Sequence, residues 1–211
     1  MTDVWSDRAE AYRESEAHRR GRDLDLIAEW AEGETALDVA TGGGHVAKRL
    51  REAALKVVTV DPAPGMQPDV VSRAEDLPFA DGSFDVVVSR VAPHHFADIR
   101  KAVGEMARVT RNLVLVADNL HLGERVEEAE RLRDPTHVRC YSEAEWRGLF
   151  EGAGLAVEAV ELEDKRVELE PWLERAGCEG EEAAQVRELL ADRIDDGYLR
   201  LDRIILKGRK S

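Results

Sequence analysis

The stretch Leu37-Asp38-Val39-Ala40-Thr41-Gly42-Gly43-Gly44-His45-Val46-Ala47 constrains this chain more than any other. A short apolar run stops at three consecutive glycines and a helix-periodic segment follows at once, the pattern of a buried strand turning into a helix. Glycine lets the backbone come close to a ligand because no Cβ intervenes. The start of the helix then offers unpaired N–H groups. About twenty residues on, Asp61 ends the next strand, where a carboxylate accepts hydrogen bonds from both hydroxyls of a ribose. Loop and acid together predict a nucleoside-containing cofactor. Gly42 to Ala47 also satisfies the dinucleotide pattern G-x-G-x-x-G/A, so a nicotinamide dinucleotide is one reading. Asp38 argues against it: an acid just before the loop is awkward beside a pyrophosphate and suits a cofactor carrying an ammonium and a sulfonium.

The rest of the chain repeats the alternation. Residues 36–40, 57–61, 84–89 and 113–117 are apolar nearly throughout, as buried parallel strands are, and 69–72 reads as a short third strand. Between them Val46, Ala47, Leu50 and Ala54 recur at helical spacing, as do Ile99, Ala102, Val103, Met106 and Ala107. The expected fold is α/β, a Rossmann-like doubly wound and mostly parallel seven-stranded sheet with C-terminal accessory (lid) helices. Ligands of such a sheet bind beyond the carboxyl ends of its strands. Further on, Trp146, Leu149 and Phe150 mark a helix, 157–162 alternates like a half-exposed strand, 203–206 is a last short strand, and Val186, Leu189, Leu190 and Ile194 share a helical face. With no repeat and no long linker, one domain over 1–211 is expected, its core over about 22–162 plus 203–208. The accessory helices fall at about 1–20, 121–133 and 168–195.

Charge limits the partners. The net charge is −14, whereas a grip on nucleic-acid phosphates needs a basic stripe. The nearest approach, His18-Arg19-Arg20-Gly21-Arg22, is flanked by acids and reads as a solvated helix end, so no nucleic acid is expected. No apolar run nears the ~20 residues of a membrane span, and Met1-Thr2-Asp3-Val4-Trp5 lacks the features of a secretory signal. The chain is read as cytoplasmic, without integral membrane association. Cys140 and Cys178 read as reduced thiols with no zinc-type spacing, and no metal is expected. The oligomeric state is left open.

Asp38 to Gly44 resembles the D-x-G-x-G-x-G motif of class I S-adenosylmethionine methyltransferases, with Ala40 in place of the first glycine. The nearest branch is that of the ubiquinone/menaquinone-type enzymes. Asp61-Pro62-Ala63-Pro64-Gly65-Met66 resembles the second motif. Ala74-Glu75-Asp76-Leu77-Pro78-Phe79 followed by Asp81-Gly82-Ser83-Phe84-Asp85-Val86-Val87 resembles the third motif and fourth strand, and Ser89 to Phe96 the segment after it. The likeness spans about residues 5–160. It implies S-adenosylmethionine as cofactor, with Asp38, Ala40, Gly42, Gly44 and Pro62 around it, Asp61 at the ribose, and Met66, Ala74 and Glu75 at the adenine. Tyr12 and Arg90 are implied near the methionine part, Arg90 pairing with its carboxylate. Three departures stand out. Arg73 replaces the aspartate that meets the adenine amino group, Met66 to Val70 is too short for the usual helix, and Thr110-Arg111-Asn112 lacks the Pro-Gly-Gly turn.

Methyl transfer from a sulfonium is an in-line displacement that positioning alone accelerates, so no catalytic dyad is required and none is evident. His94 and His95 follow the fourth strand and are the candidates for a base or substrate contact. His137, Arg139 and Tyr141 alternate and are candidate substrate contacts reaching in from a lid, whereas His121 reads as a solvated loop residue. Ser89-Arg90-Val91-Ala92 stands where nucleic-acid amino-methylases carry an Asn/Asp-Pro-Pro-aromatic loop, and no Pro-Cys pair offers a cytosine C5 nucleophile. A small-molecule acceptor follows. The alternatives are a non-catalytic binding protein on this fold, with Arg73 weakening the site, and an NAD-dependent oxidoreductase, which the Leu77-Pro78-Phe79 region contradicts.

Overall fold

Strand β1 (Thr35–Val39) shows how the sheet is built: Leu37 and Val39 face one apolar layer and Ala36 the other, because successive side chains of a strand alternate. In the computed structural model, which describes residues 4–211, three more apolar runs join it in parallel. These are β2 (Lys56–Asp61), β4 (Phe84–Arg90) and β5 (Thr110–Asn119), and the two-residue β3 (Val70–Val71) continues past β2. The stretch Met1-Thr2-Asp3, the start of the expected N-terminal accessory segment, lies outside the described residues.

The sheet has eight strands in the order β3-β2-β1-β4-β5-β8-β6, with β7 (Ile194–Asp195) paired to β8 alone. One strand more than the expected seven therefore forms. Both β6 (Leu155–Glu168) and β8 (Tyr198–Lys210) are antiparallel and outrun the predicted 157–162 and 203–206. Helices α4 (Arg22–Trp30) and α5 (His45–Glu52) cover one face through Leu24, Ile27, Val46 and Leu50; α6 (Ile99–Val109) and α8 (Glu143–Gly152) cover the other through Val103, Met106, Trp146 and Phe150. Where a Pro-Gly-Gly turn is missing, α6 runs straight into β5. A 3₁₀ turn, Pro64–Met66, replaces the helix after β2.

Accessory helices α7 (Glu124–Arg133), α9 (Leu169–Glu174) and α10 (Gly180–Leu189) share a third apolar cluster with the overhang of β6 and β8, around Trp172, Val186, Leu199 and Leu201. At the other end come three short helices, α1 (Val4–Asp7), α2 (Ala9–Glu14) and α3 (Glu16–Arg19), of which α1 and α2 lie against the loop after β2 and α3 meets Arg90 at the end of β4. Ser6 Oγ accepts from the Gly65 amide at 2.9 Å, and Ala9 packs on Ala63 and Met66. Among the described residues no helix is long and apolar enough to cross a membrane.

Candidate active site

Strand order reverses between β1 and β4, and there the carboxyl ends of two strands leave a crevice. A cavity of about 300 Å³ fills it, roofed by Trp5, Tyr12 and His18 of the N-terminal helices. That volume is at the small end of the roughly 300–1,000 Å³ usual for ligand pockets. Of the residues that sequence assigned to a cofactor, Asp38, Ala40, Gly42, Asp61, Pro62, Met66, Ala74, Glu75, Arg90 and Tyr12 line it. Gly44 does not: at φ 76° it caps the start of α5, behind the cavity wall.

The loop after β1 is held open from below. Asp38 Oδ2 accepts from Thr41 Oγ1 at 2.6 Å and from the Ala47 amide at 3.1 Å, tying the turn to the first turn of α5. Burial pushes the Asp38 carboxyl up to about 6, against the pull of those two hydrogen bonds. Ala40, standing where the motif has glycine, takes φ 56°, a left-handed conformation that costs a residue with a Cβ roughly 1–2 kcal/mol. Beside Gly42 (φ 51°) a Cβ would meet no protein atom within 4 Å, so the backbone there borders open space. Asp61 crosses the same space: its carboxylate accepts from the Gly42 amide at 3.0 Å and the Ala63 amide at 2.9 Å. The adenine side is less open than the sequence suggests. Glu75 already accepts from the Ala97 amide at 2.9 Å, while Arg73, exposed on the rim, lies 3.4 Å from the other Glu75 oxygen.

Arg90 corrects one expectation. Its guanidinium fork grips Asp23, Nε at 2.7 Å and Nη2 at 3.1 Å, and Nη1 donates to the His18 carbonyl at 2.9 Å. The geometry expected for a ligand carboxylate is thus filled by a carboxylate of α4. Val91, next in the chain, takes φ 53°, rare for a β-branched residue and the kind of strain that gathers at functional sites.

The two candidate histidines part company. His94 is buried outside the main cavity with Nδ1 2.5 Å from Asp118. Burial disfavours its charge, but the Asp118 carboxylate raises its pKa above the ordinary value. His95 lines the cavity, stacked edge-on to Trp5 at 4.7 Å. Its Nδ1 donates to the Thr136 carbonyl at 3.0 Å, which leaves Nε2 as the basic atom of the neutral ring. Burial and the neighbouring His94 push its pKa well below 6.5, so neutral it is.

The expected lid triad does not converge. The Val138 and Arg139 amides are fixed on the His94 carbonyl; His137 parts from the other two, while the Arg139 guanidinium lies over the Tyr141 ring, 5.2 Å from its centre. His137 turns inward to Glu127 at 3.0 Å, Arg139 pairs with Glu145 on the surface, and Tyr141 packs edge-on to Trp146. None of the three lines the main cavity. His121 is not solvated: it is half-buried with Nδ1 3.4 Å from Glu127. His18 likewise leaves its basic cluster and faces the cavity. Cys140 joins Glu127 and His137 with ligand-type atoms within 4.8 Å of one another, a grouping invisible in cysteine spacing alone. Hydrogen bonds to Glu127 account for its members. Sequence reasoning also missed Trp5 and His18; the seven-residue step from Trp5 to Tyr12, two helical turns, was the available signal.

A doubly wound sheet with a glycine turn at its switch point and an acid ending the second strand defines an α/β enzyme of nucleoside-bearing cofactors. The family described as a methyltransferase domain matches residues 37–116. The uncharacterized methyltransferase YcgJ of Bacillus subtilis (strain 168) is 33% identical over 208 residues, covering 86% of this chain and 82% of that protein. The crystal structure of the Bacillus subtilis YcgJ protein superposes with a TM-score of 0.80 at 29% identity, over 89% of this chain and 97% of the other. A demethylmenaquinone methyltransferase of Thermus thermophilus is 39% identical over 106 residues, 43% of this chain and 48% of that protein. The chain belongs to this methyltransferase family and is an S-adenosylmethionine-dependent methyltransferase. That placement removes the oxidoreductase and non-catalytic readings.

Proposed function

We propose that the chain transfers the methyl group of S-adenosylmethionine, held in the 300 Å³ cavity, to a small-molecule acceptor by in-line displacement. The observation that carries this is a single cavity lined both by the Gly42 turn and Asp61 and by the neutral ring of His95. The residues fit the cofactor: open space beside Gly42 admits its methionine part, Asp61 faces the ribose, and Met66 and Ala74 border the adenine. When bound, the cofactor supplies an electrophilic methyl on a sulfonium. Asp38, below the turn, favours positive charge there, and the roof of Trp5 and Tyr12 excludes water. Nε2 of His95 takes the proton of an acceptor that arrives protonated, while Thr136 keeps the other ring nitrogen as donor. His94, locked on Asp118, supports His95 from behind, with ring centroids 4.1 Å apart.

Calorimetric titration with S-adenosylmethionine and S-adenosylhomocysteine tests the reading. Micromolar binding is expected, and Asp61→Ala should weaken it at least about tenfold by removing the ribose acceptor and loosening Gly42. Unchanged affinity in that variant would overturn the site assignment.

A further inference from the structure

Behind the wall formed by Tyr12, His18, Val91 and His95 lies a second, small cavity of about 40 Å³, which shares those four residues with the cofactor cavity. Its far side carries Arg133, Arg175 and Arg203, together with His94, Asn119 and Trp172, and among the described residues no carboxylate lines it. In a chain of net charge −14 this concentration of buried cations is anomalous.

The cations share few counterions, with Asp118 on His94 and Glu130 on Arg133 lying just outside the lining. Asp23 must serve two arginines: Oδ2 lies 2.7 Å from Arg90 Nε and 2.7 Å from Arg203 Nη1. Arg203 Nη2 reaches only a neutral partner, Asn119, at 3.4 Å, and its buried Nε has no hydrogen-bond partner. Arg133 is matched by Glu130 at 3.1 Å and lies over Trp172, 4.2 Å from the ring centre. Arg175, half-buried, makes no side-chain hydrogen bond or ion pair among the described residues. Burial and the nearby Arg133 push its pKa down, and burial, with Arg175, Arg90 and Arg203 nearby, holds His18 well below 6.5. A buried guanidinium without a counterion is costly, and a planar oxyanion is the group whose shape its fork fits.

We infer that the small cavity is an oxyanion subsite, in which Arg175 and the free edge of Arg203 hold a carboxylate or phosphate group of the methyl acceptor. The rest of the acceptor passes Tyr12 and His95 to reach the methyl donor, so the acceptor is an anionic small molecule. This rests on the methyltransferase reading of the larger cavity.

NMR titrations of the S-adenosylhomocysteine-saturated protein with acetate and with inorganic phosphate test it, acetamide serving as the uncharged isostere of acetate. One of the two anions should bind at least about tenfold tighter than acetamide, and whichever does identifies the group. Arg175→Met should cost that anion about tenfold in affinity and leave S-adenosylhomocysteine affinity unchanged, since Arg175 lines only the small cavity. Three results overturn the inference: anions binding no better than acetamide, affinity indifferent to Arg175→Met, or acetate displaced by S-adenosylhomocysteine. The last would give the subsite to the cofactor's own carboxylate. Failure of S-adenosylhomocysteine to bind would instead strike the cofactor reading, and the anion titrations without it would still report on the arginines.

Discussion

Asp38 is the residue whose chemistry the structure defines most sharply. Its carboxylate is buried with Thr41 and the Ala47 amide as donors, and Asp61 and Arg90 act on it from opposite signs. With a pKa near 6 it is largely neutral below that pH in the empty protein. A cation placed nearby favours its ionised form, so binding at lower pH must release a proton. Affinity for S-adenosylmethionine should therefore rise with pH, by up to about tenfold per unit below pH 6 and not above it. Calorimetry in buffers of different ionisation enthalpy checks this, and Asp38→Asn should abolish both the proton release and the slope. A flat profile would show that Asp38 does not sense the cofactor's charge. The turn that Asp38 supports was legible in the sequence because its parts are contiguous. The partner of Arg90 was not, since Asp23 lies 67 positions away and nothing local marks it.

Between elements, Asp23 is the joint. It sits on α4 and binds the end of β4 through Arg90 and β8 through Arg203, a link spanning 180 positions in the chain. Burial works against its charge, but Arg203 and Arg90 hold its carboxyl well below the usual range. An acid with a depressed pKa lends stability that is complete above its unfolded pKa of about 4 and is lost as pH falls toward the folded value. Asp23→Asn should cost about 3–5 kcal/mol near neutral pH by stranding two buried arginines. Urea unfolding would show that cost, and the gap to the parent protein should narrow below about pH 4. A gap under about 1 kcal/mol near neutral pH would mean that water compensates the arginines. Strands β1, β2, β4 and β5 form where the apolar runs place them, because helices bury both their faces. The overhang of β6 and β8 was hidden. There Leu199 and Leu201 face the accessory cluster while Tyr198 and Arg200 face solvent, and charges such as Asp164, Lys165 and Arg166 break the apolar signal.

For the whole molecule, access is the question that the fold poses. The cavity is roofed by helices of four, six and four residues, each far too short to persist in water unaided. Polar contacts that hold them down include Ser6 with Gly65, the Tyr12 carbonyl with His45 at 3.0 Å, Arg8 with Asp134 at 3.0 Å and with the Ala176 carbonyl at 2.7 Å, and the His18 carbonyl with Arg90 at 2.9 Å. We expect a cofactor to enter by lifting this roof, because the sheet beneath is packed on both faces. Amides of residues 4–19 should accordingly exchange fast in the empty protein and slow down with S-adenosylhomocysteine, with β1, β4 and β5 protected in both states. Gly65 supplies the control. A Cβ there would come within 2.6 Å of the Ser6 backbone, so Gly65→Ala should keep the roof fast-exchanging in the presence of ligand. The same variant should lower S-adenosylhomocysteine affinity by about tenfold, as when a binding-competent state becomes the minor one. If roof and sheet slowed together on binding, or if Gly65→Ala bound as tightly as the parent, entry would have to run through the sheet's open edge instead of beneath α1 to α3.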